Sequence, residues 1–274
     1  MIQSMAAGYQ VLGDERYREA AEKSATFLLT ELSQGDGLLL RTYRAGKSHL
    51  NAYLEDYSYF VAGLIQLYEA TFNPQWLKEA DRLNRIMIEQ FWDDVNGGFF
   101  FTGKAHESLI VQSKSAHDGA TPAGASIAVH NLLRLAKLLN QPDPSFHSGQ
   151  ALNDKARTTL MLYYHQMEAA PSASAQLLCE LDFLLSTPKE IAIVGGRDSE
   201  ETKAATRTIH SRFIPNKVIA LLDVTSENAQ ETKTFIPLLE GKVPRNGKTT
   251  IYVCENYACK SPTTELAELE KLLE

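Results

Sequence analysis

A mainly α fold is predicted, with helical pairs forming an α/α toroid or solenoid ahead of a small α/β module. Three observations predict it. Residues 52–72 carry apolar side chains around most of a helix, and residues 75–92 carry them on one face only. A glycine-led apolar return follows this pair, and a similar return lies roughly sixty residues earlier, a period suited to large helical-pair repeats. From Pro188 onward, short apolar runs alternate with polar helical stretches, which is the pattern of an α/β unit.

Residues 2–12 read as a short apolar helix that begins without a cap, as though the chain were cut into an existing element. Gly13-Asp14 ends it and caps a second helix over 16–32, with Tyr17, Ala21, Ser24 and Leu28 on one face. Gly35-Asp36-Gly37 then leads into Leu38-Leu39-Leu40. In 52–72, Tyr57, Phe60, Leu64 and Leu67 form one stripe, and Leu54, Val61, Ile65 and Tyr68 a second. Two stripes bury most of a helix. Asn73-Pro74 starts the next helix, because Asn caps and proline lacks only an N–H that is unbonded at that position anyway. Its apolar face is Leu77, Ala80, Leu83, Met87 and Phe91. Asn96-Gly97-Gly98 breaks it, and Phe99 to Phe101 form a short strand or packed loop.

A third, looser unit follows. Residues 102–118 are a long loop, and Thr121-Pro122 repeats the cap-and-proline start for a helix over 122–140. Residues 141–149, with two prolines, read as a linker; 153–168 and 172–185 read as further helices. Ile191 to Val194, ending in Gly195-Gly196, is a buried strand. A helix over 200–211, strands at 218–222 and 249–254, and a helix over 264–273 capped by Thr263 complete a mainly parallel module. The expected division is 1–187 and 188–274.

Composition excludes several classes. Hydrophobic residues make up 44% of the 274, and the net charge of −7 comes from interleaved acids and bases. No clustered basic face suggests nucleic acid, no apolar run is long enough to cross a membrane, and Met1-Ile2-Gln3-Ser4-Met5 does not read as the basic region and apolar core of a signal peptide. No metal-ligand spacing or cofactor motif is present, so neither a metal nor a cofactor is expected. Cys179, Cys254 and Cys259 make no disulfide framework. Cys254 and Cys259 are expected to be reduced, a transient bridge being the alternative, and a cytoplasmic location is expected. Gly195-Gly196 is a strand-to-helix turn; the alternative is a phosphate site at the helix start, but the dinucleotide and P-loop patterns are absent.

The chemistry-bearing groups precede the inner helices. In an α/α toroid these helices run the same way, so their N-termini gather at one mouth. His49, Tyr53, Glu55, Asp56 and Tyr57 lead into one, and His117 and Asp118 into the next. Carboxylates beside aromatics suit carbohydrate chemistry. Asp118, His117, Glu55 and Asp56 are the candidate catalytic groups; Tyr57, Tyr53 and His49 are candidate sugar contacts. Acids at helix starts equally serve as caps, and His117 reads equally as a loop histidine.

The runs Tyr53-Leu54-Glu55-Asp56-Tyr57 and Gly63 to Phe72, Phe91-Trp92-Asp93 with Gly97-Gly98, and Asp118-Gly119-Ala120 carry a resemblance. So do Ile193-Val194-Gly195, Pro215-Asn216-Lys217-Val218, Leu239-Glu240-Gly241-Lys242 and Tyr252-Val253-Cys254 with Cys259. In their order they resemble the spermatogenesis-associated, thioredoxin-domain-containing family. The resemblance implies the later part of a six-hairpin α/α toroid, like those of sugar epimerases and glycosidases, with an α/β tail. It reaches neither a thioredoxin-like domain nor the first half of the toroid, so this chain is expected to be a fragment without that domain's redox activity. Ala116-His117 stands where the family pattern has a second acid. The expected function is sugar binding or modification, with a carbohydrate ligand and self-association through the open edge of the toroid. The alternatives are a non-catalytic interaction module and a redox-linked protein using Cys254 and Cys259.

Overall fold

The computed structural model of the chain describes residues 1–35, 37–107, 109–139, 148–256 and 258–274. Asp36, Tyr257 and most of the expected linker, 141–147, lie outside the described residues.

The first helical pair is α1 (Ile2–Leu12) and α2 (Glu15–Glu31). Gly13 ends α1 at a positive φ of 68°, and the Asp14 side chain accepts from Arg16 N to start α2. A hairpin follows, β1 (Leu40–Arg44) and β2 (Lys47–Asn51), which the apolar pattern did not disclose. Next come α3 (Leu54–Thr71) and α4 (Pro74–Phe91), the latter capped by Asn73 with Pro74 in its first turn.

The two glycine-led returns match in structure. Ser33 bridges to Leu39, and Trp92 to Phe99. Between the partners lie Gly37, Gly97 and Gly98, all at positive φ, which a residue with a Cβ adopts only at a cost.

The third pair departs from expectation at its ends. α5 (Gly124–Leu138) begins two residues beyond Pro122, and its N-cap, Ala123, has no capping side chain. The Asp118 carboxylate supplies the cap from a distance. The expected single helix over 153–168 is two, α6 (Gly149–Leu162) and α7 (Tyr164–Ala169). Ser148 starts α6 earlier than expected by accepting from Ala151 N. α8 (Ala175–Leu185) closes the helical part.

Helices α1, α3, α5 and α8 form an inner row, each packed on the next, while α2, α4 and α6 pack outside it. Neighbours in the row run the same way. Ile2 lies beside Gly63 and Gln10 bonds Gln66, while Pro122 lies by Tyr59 and Arg134 by Glu69.

Beyond Pro188 lie β3 (Lys189–Gly195), α9 (Glu200–His210), β4 (Lys217–Asp223), α10 (Ala229–Phe235), β5 (Thr250–Glu255), β6 (Ala258–Cys259) and α11 (Leu266–Leu273). The sheet order is β4-β3-β5-β6. It is mixed rather than mainly parallel: β4 is parallel to β3, and β5 antiparallel. The link from β4 stays at one end of the sheet, since Asp223 and Thr250 flank Gly195 and Val194 there, so β5 must run back. α11 starts at Leu266, and Thr263 Oγ1 accepts from Glu265 N in the turn before it rather than capping the helix itself.

The sheet is apolar on both faces. Ile191, Ile193, Ile219, Leu221, Ile251 and Val253 share a cluster with residues of α9 and α11. Ala192, Val194, Val218, Ala220 and Tyr252 alternate with them and join the main core of the helical row. One apolar core therefore crosses the change of pattern near Pro188.

Candidate functional site

The starts of α3 and α5 do meet. A Cβ on Gly124 would lie 3.0 Å from the backbone of Glu55, so glycine permits the approach. Tyr59 Oη donates to Pro122 O at 2.7 Å. Burial raises the pKa of this tyrosine, and the negative charges of Glu55 and Asp118 add to the rise.

Asp118 is buried, with both carboxylate oxygens engaged. Oδ1 accepts from Ala123 N at 2.8 Å at the start of α5, and Oδ2 from Gln176 N at 2.8 Å at the start of α8. Its own N–H donates to Ala173 O at 2.8 Å. The side chain ties two inner helices together by their unbonded N–H groups.

Glu55 and Asp56 share one cation, Arg41 of β1. Its guanidinium donates to Glu55 Oε1 at 2.9 Å and to Asp56 Oδ2 at 3.3 Å. Asp56 Oδ2 also accepts from Tyr53 N at 2.8 Å, the reciprocal half of a capping box. Burial pushes the Asp56 pKa up, while the Tyr53 N–H and Arg41 oppose the rise.

The Tyr53 ring sits among three neighbours. Phe101 stacks on it at 4.9 Å, His106 lies at 4.8 Å, and the Arg41 guanidinium at 4.8 Å. Tyr57 does not offer its ring to a ligand. It is 2% exposed, its hydroxyl accepts from Leu39 N at 2.7 Å, and its ring meets Phe91 edge-on. Its place on the apolar stripe of α3 decides this. His49 lies exposed on β2, and His117 lies exposed in the loop, its N–H 3.4 Å from Ser115 Oγ.

A cavity lies among Leu39, Asn51, Tyr57, Phe91, Gly103 and His106, apart from the Glu55, Asp56 and Asp118 carboxylates, and its volume is about 10 Å³. That is room for one water, far below a typical ligand pocket. A larger cleft of about 190 Å³ lies near the other end of α5, between Lys137, Asn153, Arg157, Phe183 and Asn256. None of the candidate catalytic or sugar-contact residues named from the sequence lines it.

Arg41, Phe101 and His106 are the members of this cluster that sequence reasoning missed. Arg41 arrives on the unrecognised hairpin, for which Ala45-Gly46 between two polar runs was the available signal. Cys254 and Cys259 are joined in a disulfide, correcting the expectation of two thiols; Cys179 is free and exposed. The two cysteines face each other across β5 and β6, so strand pairing brings together what their spacing did not suggest. At Gly195-Gly196, the Thr202 and Thr249 hydroxyls crowd Gly195 and Ser199 caps α9, as in a plain strand-to-helix turn.

No protein-family model matches the chain. It is 34% identical over 283 residues to human spermatogenesis-associated protein 20, an alignment covering 100% of this chain and 35% of that protein. The rat protein of the same name is 33% identical over the same shares. An uncharacterised protein of Caenorhabditis elegans is 24% identical over 278 residues, 99% of this chain and 36% of its own length. The chain spans about a third of the length of these curated relatives.

Proposed function

We propose that this chain is a helical-repeat part of a protein of the spermatogenesis-associated protein 20 kind, and that it acts as a non-catalytic interaction module. The inner and outer helices are then successive hairpins of an α/α toroid. The observation that carries this reading is the engagement of the carboxylates at the mouth. Asp118 holds two helix starts, and Glu55 and Asp56 hold Arg41. A general base must offer a substrate an atom that can take a proton, and a general acid one that can give it; both oxygens of Asp118 accept from backbone N–H groups instead.

A second reading, sugar binding at the rim, draws on one feature. Phe101 is 39% exposed and stacks on Tyr53 beside Glu55 and Asp56. His49 and His117 would then supply hydroxyl contacts or proton transfer from the exposed rim. Thermal unfolding across a panel of mono- and disaccharides separates the two. The interaction reading expects no sugar to stabilise the fold. A sugar that raises the melting temperature, with the rise lost in Phe101→Ala, overturns it in favour of the second.

A further inference from the structure

The larger cleft, of about 190 Å³, lies where α5, α6 and α8 meet the turn between β5 and β6. Its floor is apolar, made by Leu133 of α5, Phe183 of α8 and Pro188, all buried. Its walls are polar. Lys137 stands one turn beyond Leu133 on α5, Asp154 and Arg157 stand on α6, Ser186 follows α8, and Asn256 stands in the turn after β5.

These walls are fixed from behind. Lys137 Nζ donates to Glu190 Oε1 of β3 at 2.7 Å. Ser186 Oγ accepts from Asn216 Nδ2 at 3.0 Å. Asn256 has a φ of 49°, a left-handed conformation that asparagine tolerates, and the Cys254–Cys259 bridge closes its turn. Walls already held in place have little freedom left to lose when a ligand enters.

The charges narrow the kind of ligand. Lys137 shares its charge with Glu190. Arg157, exposed at the rim, has no ion-pair partner among the described residues. Asp154 has none among them either, and its carboxylate accepts from Gln150 Nε2 at 2.8 Å. Opposite charges three residues apart on a helix are placed to pair, yet Asp154 and Arg157 do not. The cleft therefore presents a cation and a carboxylate separately above an apolar floor. A guanidinium fork suits a carboxylate, Asp154 suits an ammonium, and the floor suits a hydrocarbon side chain. An α-amino acid carries all three groups. Size agrees, since a cavity of about 150 Å³ admits benzene. Inorganic phosphate fits less well: Asp154 repels it, and the floor gives it nothing.

We propose that this cleft binds a free α-amino acid with an apolar side chain, its carboxylate on Arg157, its ammonium on Asp154 and its side chain over Leu133 and Phe183. The site lies away from the mouth, so it goes beyond the interaction-module reading and does not depend on it.

The test is isothermal titration calorimetry at pH 7 with leucine and phenylalanine, the amide and the N-acetyl derivative of each, and inorganic phosphate. At least one of the two amino acids should bind. Its amide lacks the carboxylate and its N-acetyl derivative lacks the ammonium, so each should bind roughly tenfold or more weaker, the scale of a hydrogen bond to a charged group. Arg157→Gln should remove the preference over the amide, and Asp154→Asn the preference over the N-acetyl derivative. Both side chains are exposed, so the unliganded variants should melt as the wild type does. A merely solvated pair of charges would show none of these preferences. Absence of binding by both amino acids, equal binding of an amino acid and either derivative, tighter binding of phosphate, or preferences that survive both variants overturns the proposal.

Discussion

His210 ends α9 with its imidazole largely enclosed. Burial pushes its pKa down to about 4 from 6.5, and the nearby Lys217 charge adds to the fall. The sign follows from proton counting. Below pH 6.5 the unfolded chain binds a proton that the native chain refuses until about pH 4, so this group's contribution is full above 6.5 and is lost as pH falls. The expected slope is about 1.4 kcal/mol per pH unit within that window. Urea unfolding at a series of pH values should show it in the wild type and not in His210→Asn. Parallel pH curves for the two proteins would mean that the native imidazole charges normally. Cysteine makes a second residue-scale prediction. Denatured, unreduced protein should titrate as one thiol, Cys179, and fully reduced protein as three. Three thiols before reduction would contradict the bridge. The bridge was not legible beforehand, because Cys254 and Cys259 match no motif and only the return of β6 along β5 opposes them.

At the scale of elements, Glu69 links three of them. Its carboxylate pairs with Arg134 of α5 and accepts from Ile219 N of β4 at 3.1 Å, while Glu69 itself lies on α3. Both charged side chains are buried. Glu69→Ala should therefore cost roughly 3–5 kcal/mol, since it leaves a buried guanidinium without its partner. The double replacement Glu69→Met with Arg134→Met should recover part of that loss. Urea unfolding decides it: a single variant within about 0.5 kcal/mol of wild type, the range of ordinary surface changes, would remove Glu69 as the link. The helices themselves were legible where a local signal sets them, as at Gly13-Asp14 and Asn73-Pro74. They were misplaced where the signal is distant. The cap of α5 comes from Asp118, five residues before Ala123, and no local rule anticipates it. The hairpin stayed hidden because it has no apolar face to alternate; its turn, with Ala45 and Gly46 both at positive φ, holds it instead.

Across the whole molecule, the sheet lies between the helical row on one side and α9 and α11 on the other. α1 stands at one end of the row, and Val11 and Leu12 at its close are 72% and 65% exposed. If self-association uses that edge, light scattering should give a mass that rises with concentration, and Val11→Ser with Leu12→Ser should hold it at one chain. A constant single-chain mass in the wild type would exclude that edge. The meeting of the α3 and α5 starts was legible, because repeated hairpins place successive inner helices side by side in one direction. The use made of the acids there was not. A carboxylate before a helix reads alike whether it faces a substrate or a backbone N–H, and only the fold separates these cases.

The central claim is that Asp118 holds helices together rather than serving a substrate, and urea unfolding of Asp118→Ala and Asp118→Asn tests it most directly. With two helix starts losing their acceptor at about 1 kcal/mol each, Asp118→Ala should lose about 2 kcal/mol. Asp118→Asn should lose less, because its amide oxygen still caps one helix. Wild-type stability in both variants would contradict the claim, and loss of a measured sugar affinity alongside it would make Asp118 a substrate-facing group.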